Sequence, residues 1–228
     1  MDLDIIIESL PRLFKGAALT LELTGISVGL GLFLAIGLAF MRVSKNRWIR
    51  IPASCFNFYF RGTPLLVQIF LIYYGSGQFQ VFLDQIGLWT FFREAYFCAI
   101  LALMLNTAAY TAEILRGGIE AIPVGEMEAA SAFGFYGMNM SRRFILPKAF
   151  RIAWPAYTNE VVFLLQASSL VSIITLMDLT GVARVIAARS FAFYELFITA
   201  AVIYLIIVYV LLYLFKQIEG RINNYLYL

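Results

Sequence analysis

Glu160 is the only acidic or basic residue between Trp154 and Leu176, a stretch that is otherwise mostly apolar. A carboxylate so placed can hold a cation or move a proton, and at the centre of a membrane helix it costs about 2.5 to 3.5 kcal/mol when charged, so it calls for a partner. If the stretch is helical, Leu164, Ala167 and Ser168 share its face. Two further polar stripes recur at helical spacing. One joins Arg61, Pro64 and Gln68, with Thr63 close to it, and the other joins Asn106, Tyr110 and Glu113. Three such stripes can converge on one aqueous pocket. Pro64 inside an apolar run frees backbone carbonyls, which is tolerated where broken helix lines a cavity. Arg61 is an alternative, purely structural ion partner for Glu160, and Glu113 beside Arg116 reads as a structural pair or a surface carboxylate. Asn106 can equally serve as a helix-to-helix hydrogen bond. An acid–base pair of Glu113 and Glu160 would sit at different depths with no second constellation around it. The absence of histidine removes imidazole-dependent triads and the commonest zinc sites.

A second constellation is mechanical rather than chemical. Pro123 can open a helix at its first turn and Gly134 can end it. The result is a helix of about two to three turns carrying Glu126 and Glu128 as carboxylates and Ala129, Ala130 and Ala132 as a close-packing face. Arg142, Arg143, Lys148 and Arg151 follow it, so the island cannot lie in hydrocarbon. A helix too short to bury a face by itself suits a groove on another protein. The plainer reading is that its acids complement the dipole at the helix N-terminus.

These groups need long apolar elements to position them, and the composition supplies little else. The 228-residue chain is 62% hydrophobic and 14% charged, with a mean hydropathy of +0.84, which points to one all-α, polytopic membrane bundle. At about 20 residues per crossing, the sequence divides into five spans, near 17–41, 52–75, 96–115, 154–176 and 194–215, all in a single domain of residues 1–228. Eleven basic residues fall in loop 42–50, loop 116–151 and the tail, against five on the opposite side, which places the N-terminus outside and the C-terminus in the cytoplasm. Residues Leu3 to Lys15 read as a short helix along the outer surface. Asp2, Asp4 and Glu8 carry the wrong sign for a secretory leader, so the first apolar segment is expected to stay. Gly25 and Gly29 are spaced for close helix packing. Cys55 and Cys98 read as buried small hydrophobes. A net charge of +3 without a basic, aromatic stripe argues against nucleic acid as a partner. The outer loops, near Gly75 to Glu94 and Asp178 to Glu195, are either solvated or a docking surface for an external protein.

Glu128-Ala129-Ala130, then Gly134, then Ile145-Leu146-Pro147 resembles the cytoplasmic coupling motif of ABC-importer permease subunits. Arg61 to Gln68, Asn106 to Tyr110 and Tyr157 to Val161 look like the polar amino acid branch of that family, with the stretch Gly62 to Phe79 most similar to permeases for arginine, histidine and opines. The similarity runs over nearly the whole chain. It implies a type I importer permease fold in the bacterial inner membrane, with the loop of about residues 120–150 docking on a separate ATP-binding subunit through Glu126, Glu128, Ala129, Ala130 and Gly134. It also implies ATP and Mg held by that ATPase dimer and no cofactor in this chain, a second permease subunit, identical or similar, and an external binding protein that delivers substrate. No Gly-Lys dipeptide occurs, so a phosphate-cradling G-x-x-x-x-G-K-[ST] loop is absent from the chain. On this footing Glu160 faces the cationic side chain of arginine, histidine, lysine, ornithine or an opine. Thr63, Gln68, Asn106 and Ser168 or Ser169 bind its α-groups, with Arg61 and Asn159 beside them. Where many members have Lys-Asp before a Thr-Ser-Leu triplet, this chain has Gln166-Ala167 before Ser168-Ser169-Leu170. That departure leaves open a permease for other polar amino acids such as glutamine, or a partner subunit that binds no substrate. A passive channel or scaffold is the rival of another class.

Overall fold

A computed structural model describes residues 3–223; Asp2 lies outside them. The described chain is helical throughout: α1 (Leu3–Val43), α2 (Arg47–Gly62), α3 (Leu65–Gln78), α4 (Gln80–Gln85), α5 (Trp89–Phe92), α6 (Ala95–Glu120), α7 (Val124–Ala132) and α8 (Gly137–Met140). A π-helical turn (Ser141–Ile145) leads into α9 (Leu146–Ala167), a 3₁₀ segment (Ser168–Ile174), α10 (Leu179–Ser190) and α11 (Phe193–Asn223). Four segments are long and apolar enough to cross a membrane, Asp4–Val43, Ala95–Glu120, Gly137–Ile174 and Phe193–Arg221. The α2 and α3 pair makes a fifth if counted as one span, but it is bent by 103°.

That bend follows from the sequence. Proline disfavours helix in the residue before it, and Thr63 and Pro64 are both extended, so α2 stops and α3 starts afresh. The span expected over 52–75, with Pro64 breaking it, is thus two short helices. The separate surface helix expected over residues 3–15 is absent, because α1 runs unbroken from Leu3 to Val43 with Pro11 inside it. Gly16 does not break the helix. It lets α1 lie against the backbone of Asp178, whose carbonyl oxygen would be 2.9 Å from an added Cβ.

The bundle closes around α6, whose buried Ala99, Ala102, Ala108 and Ala112 admit α1 on one side and α9 on the other. Gly118 meets the backbone of α9 so closely that a Cβ there would stand 2.5 Å from Ala149 O. The Gly25 and Gly29 pair seats no helix of this chain, since nothing described lies within 4 Å of either added Cβ. The segment after Asp178, expected as an outer loop, is a packed helix rather than a solvated loop. Leu179, Ala183 and Ala187 of α10 are buried against α1 and α11. Asp178 caps α10 by accepting hydrogen bonds from the N–H groups of Thr180 and Gly181. Cys98 is buried, whereas Cys55 is exposed.

Candidate functional site

Where α2 ends and α3 begins, the chain opens beside α6 and α9 onto a cavity of about 380 Å³. Thr63, Pro64, Asn106, Tyr110 and Glu160 supply its polar wall, and Leu65, Phe163, Leu164 and Ala167 its apolar one. The three polar stripes do converge, in altered form. Because of the bend, Gln68 lies behind the wall, where its Nε2 donates to Phe60 O at 2.8 Å, Thr63 O at 3.0 Å and Thr63 Oγ1 at 2.9 Å. Those contacts satisfy the carbonyls freed by the helix break. Gln68 Oε1 in turn accepts from Asn106 Nδ2 at 3.0 Å, and the same Nδ2 reaches Phe60 O at 3.4 Å. With its amide hydrogens so committed, Asn106 retains its carbonyl oxygen as an acceptor for a guest.

Glu160 is buried to 9% exposure, and its Oε1 accepts from Thr107 Oγ1 at 3.2 Å. Among the described residues it forms no salt bridge. Arg61 pairs instead with Glu113, at 3.6 Å, and its guanidinium lies 5.5 Å from the centroid of the Tyr110 ring. The alternative ion pair of Arg61 with Glu160 is thus not formed. Glu113 also receives Arg42 at 2.7 Å and Arg116 at 2.6 Å, while Arg116 reaches Glu120 at 2.5 Å. This cluster ties α1, α2 and α6 together and leaves Glu113 no part in an acid–base pair with Glu160.

The remaining candidates stand off the cavity. Ser168 and Ser169 donate to the carbonyls of Leu165 and Gln166, each at 2.8 Å, and neither lines the wall. Asn159 is exposed on the other side of α9, and Arg61 lines a second cavity. Thr107, which holds Glu160, went unread in the sequence because the 106, 110, 113 stripe set it on another face. Its signal was a hydroxyl next to Asn106 within an apolar run.

The helix α7 begins at Pro123 and is followed by Gly134 at φ 85°, a left-handed turn that suits glycine. Glu126 pairs with Lys148 of α9, Ala130 is buried, and Glu128 and Ala129 are exposed. Val124, Phe133, Tyr136 and Met138 stand out around it at 67 to 84% exposure, an apolar collar on a polar loop.

Residues 27–224 match the family model described as "Binding-protein-dependent transport system inner membrane component". The nopaline transport system permease NocM of Agrobacterium fabrum is 46% identical over 226 residues, covering 99% of this chain and 94% of the relative. The octopine permease OccM of Rhizobium radiobacter is 47% identical, covering 91% and 84%. The histidine/lysine/arginine/ornithine permease HisM of Escherichia coli K12 is 46% identical, covering 91% and 87%. An amino acid ABC transporter solved with histidines superposes at TM-score 0.82 with 34% identity, covering 97% of this chain and 99% of that one. The inward-facing methionine transporter MetNI, at 20% identity and TM-score 0.75, shares the fold. Bent pair, cavity, exposed short helix and these likenesses agree: the chain belongs to the inner-membrane components of binding-protein-dependent transport systems, as an ABC-importer permease subunit of the arginine, histidine and opine branch, a transport subunit and not an enzyme.

Proposed function

We propose that this subunit passes basic amino acids (arginine, histidine, lysine, ornithine) or related opines inward, the classes named for its relatives. The observation that carries the reading is Glu160, a buried carboxylate in a cavity wall with a neutral hydroxyl for a partner and, among the described residues, no salt bridge to a cation. A guest's guanidinium or ammonium supplies the missing charge. The carbonyl oxygen of Asn106 accepts from its α-ammonium, while Gln68 and Thr63 keep the break between α2 and α3 open. Ser168, Ser169, Arg61 and Asn159 lie outside this cavity as it stands, and contribute only if α9 or α2 rearranges during transport. A buried ion pair roughly offsets its own desolvation. Weak net binding suits a site that must release its cargo.

In this reading α7, with Glu126, Glu128, Ala129, Ala130 and Gly134, docks on one subunit of an ATPase dimer that binds ATP and Mg, and conveys its closure to the bundle. The N-terminus lies outside, the C-terminus in the cytoplasm, and the single bundle of residues 1–228 pairs with an identical or similar chain. An external binding protein delivers the substrate, and alternating access exposes the cavity to either side. The measurement that decides it is uptake by the assembled transporter carrying Glu160→Gln. Transport of cationic substrates drops at least about tenfold while neutral substrates and assembly are spared, in line with the loss of one charge-assisted contact. Equal loss for both classes sinks the recognition role.

A second reading rests on Ala167. It lines the cavity at the position where many members of the family carry aspartate, so the partner for an α-ammonium is reduced to Asn106. The chain then forms the weaker half of a heterodimer whose other subunit holds the cargo. Glu160→Gln without effect on uptake, and loss on the equivalent change in the partner, would favour that arrangement.

A further inference from the structure

A second cavity, of about 510 Å³, opens between the end of α1 and the inner face of α2, lined by Arg42, Ser54, Asn57, Phe58, Arg61 and Gly62. Its chemistry is opposite to that of the Glu160 cavity. Asn57 is buried to 1% exposure, yet neither its Nδ2 nor its Oδ1 finds a hydrogen-bond partner among the described residues. A buried amide left in that state costs about 1 to 3 kcal/mol, so it is poised for a guest. The charges around it point the same way. Arg42, Arg61 and Arg116 gather on two carboxylates, Glu113 and Glu120, which leaves one positive charge in excess. Arg61 is the least committed of the three, at 3.6 Å from Glu113 and 40% exposed. A guanidinium fork, an amide N–H and a hydroxyl together match a planar carboxylate, which guanidinium groups take in bidentate fashion.

The two cavities adjoin. Consecutive residues divide them, Arg61 and Gly62 lining this one and Thr63 and Pro64 the other. The stack of Arg61 on Tyr110 stands between, and Tyr110 itself faces the Glu160 side. An anionic group entering the second cavity therefore lies one side chain away from a cation held at Glu160. A lipid phosphate has the same charge, but adjacency to the cargo cavity favours the cargo.

We infer that the cavity of Arg42, Asn57 and Arg61 is a carboxylate subsite for the transported molecule, taking its acid end on the way past the Arg61–Tyr110 stack. The inference rests on the proposed basic cargo and adds what that reading lacks, a filter for the carboxylate. It separates amino acids and opines from decarboxylated bases with the same cationic end.

Arginine and agmatine, which differ by the carboxylate, are the probes. Their Kd values are measured on the assembled transporter in nanodiscs of phosphatidylcholine, with and without phosphatidylglycerol. In Asn57→Leu, arginine weakens about tenfold or more, the loss of one charge-assisted hydrogen bond, while agmatine stays within about twofold of wild type. Asn57→Asp keeps the shape and sets a negative charge in the subsite, so it lowers arginine affinity further and carries the test if Asn57→Leu fails to assemble. Equal weakening of both ligands, or no change in either, overturns the subsite. A loss confined to nanodiscs with phosphatidylglycerol assigns the cavity to a lipid phosphate and overturns it as well. A wild-type transporter that binds neither probe refutes the basic-cargo reading and takes the subsite down with it, an outcome distinguishable from the others because it appears before any substitution.

Discussion

Replacing Glu113 by glutamine removes the one carboxylate on which three helices converge, and the structure gives the size of the effect. Isolated exposed ion pairs contribute about 0.2 to 1 kcal/mol, whereas removing one member of a buried pair costs about 3 to 5 kcal/mol. The side chains here fall between these limits, at 21% exposure for Glu113, 19% for Arg42 and 27% for Arg116. Arg42 has Glu113 as its partner at 2.7 Å, so its contact is assigned about 1 kcal/mol. Arg116 keeps Glu120 at 2.5 Å and loses less, and Arg61, at 3.6 Å and 40% exposure, contributes least. Together with the mutual repulsion of three guanidinium groups left with Glu120 as their nearby carboxylate, Glu113→Gln should destabilise the subunit by about 2 kcal/mol. Thermal unfolding of the purified transporter checks the loss, and a double-mutant cycle with Arg42→Met isolates the pair. The cycle should return a coupling of about 1 kcal/mol. A coupling within about 0.3 kcal/mol of zero would show that the cluster does not hold α1 to α6.

Asp178 makes stability depend on pH. Burial pushes its carboxyl from 3.8 up to about 6, although the N–H groups of Gly181 and Thr180 pull the other way. The folded chain thus holds a proton that the unfolded chain has released, and stability falls as pH rises from about 4 to about 6, then levels off. Asp178→Asn retains the helix cap and should flatten that slope in melting experiments; an unchanged slope would assign it to another group. Glu128, exposed on α7, should tolerate reversal to arginine with no change in melting temperature, while ATP-driven uptake is abolished. Uptake that survives Glu128→Arg beside an intact ATPase would refute docking through this helix.

The acidic short helix was legible because its signals are local: proline before it, glycine after it, alanines between, and charges that exclude it from hydrocarbon. Pro123 and Gly134 do bound α7. The meeting of Thr63, Asn106 and Glu160 was legible for a similar reason, since polar groups in apolar spans must find one another or water. What failed was geometry that local periodicity does not encode. The 3.6-residue period put Ser168 on the face of Glu160, but the chain tightens into a 3₁₀ segment at Ser168, where the repeat is about 3 residues and hydroxyls reach carbonyls three positions back. The same period put Gln68 in line with Arg61, yet a 103° bend lies between them, so the amide turns back to close the break that created the cavity. Arg42 and Asn57 were invisible for another reason. Counting Arg42 as a loop charge uses its sign and discards its position, and an amide within an apolar run gives no hint of whether it will be satisfied. Only the packing of α1 against α2 and α6 turns a topological marker and an unremarked asparagine into one wall, with a charge opposite to that of its neighbour. Polarity in a membrane chain therefore reports that a pocket exists, while helix breaks decide which residues face it and what kind of guest it fits.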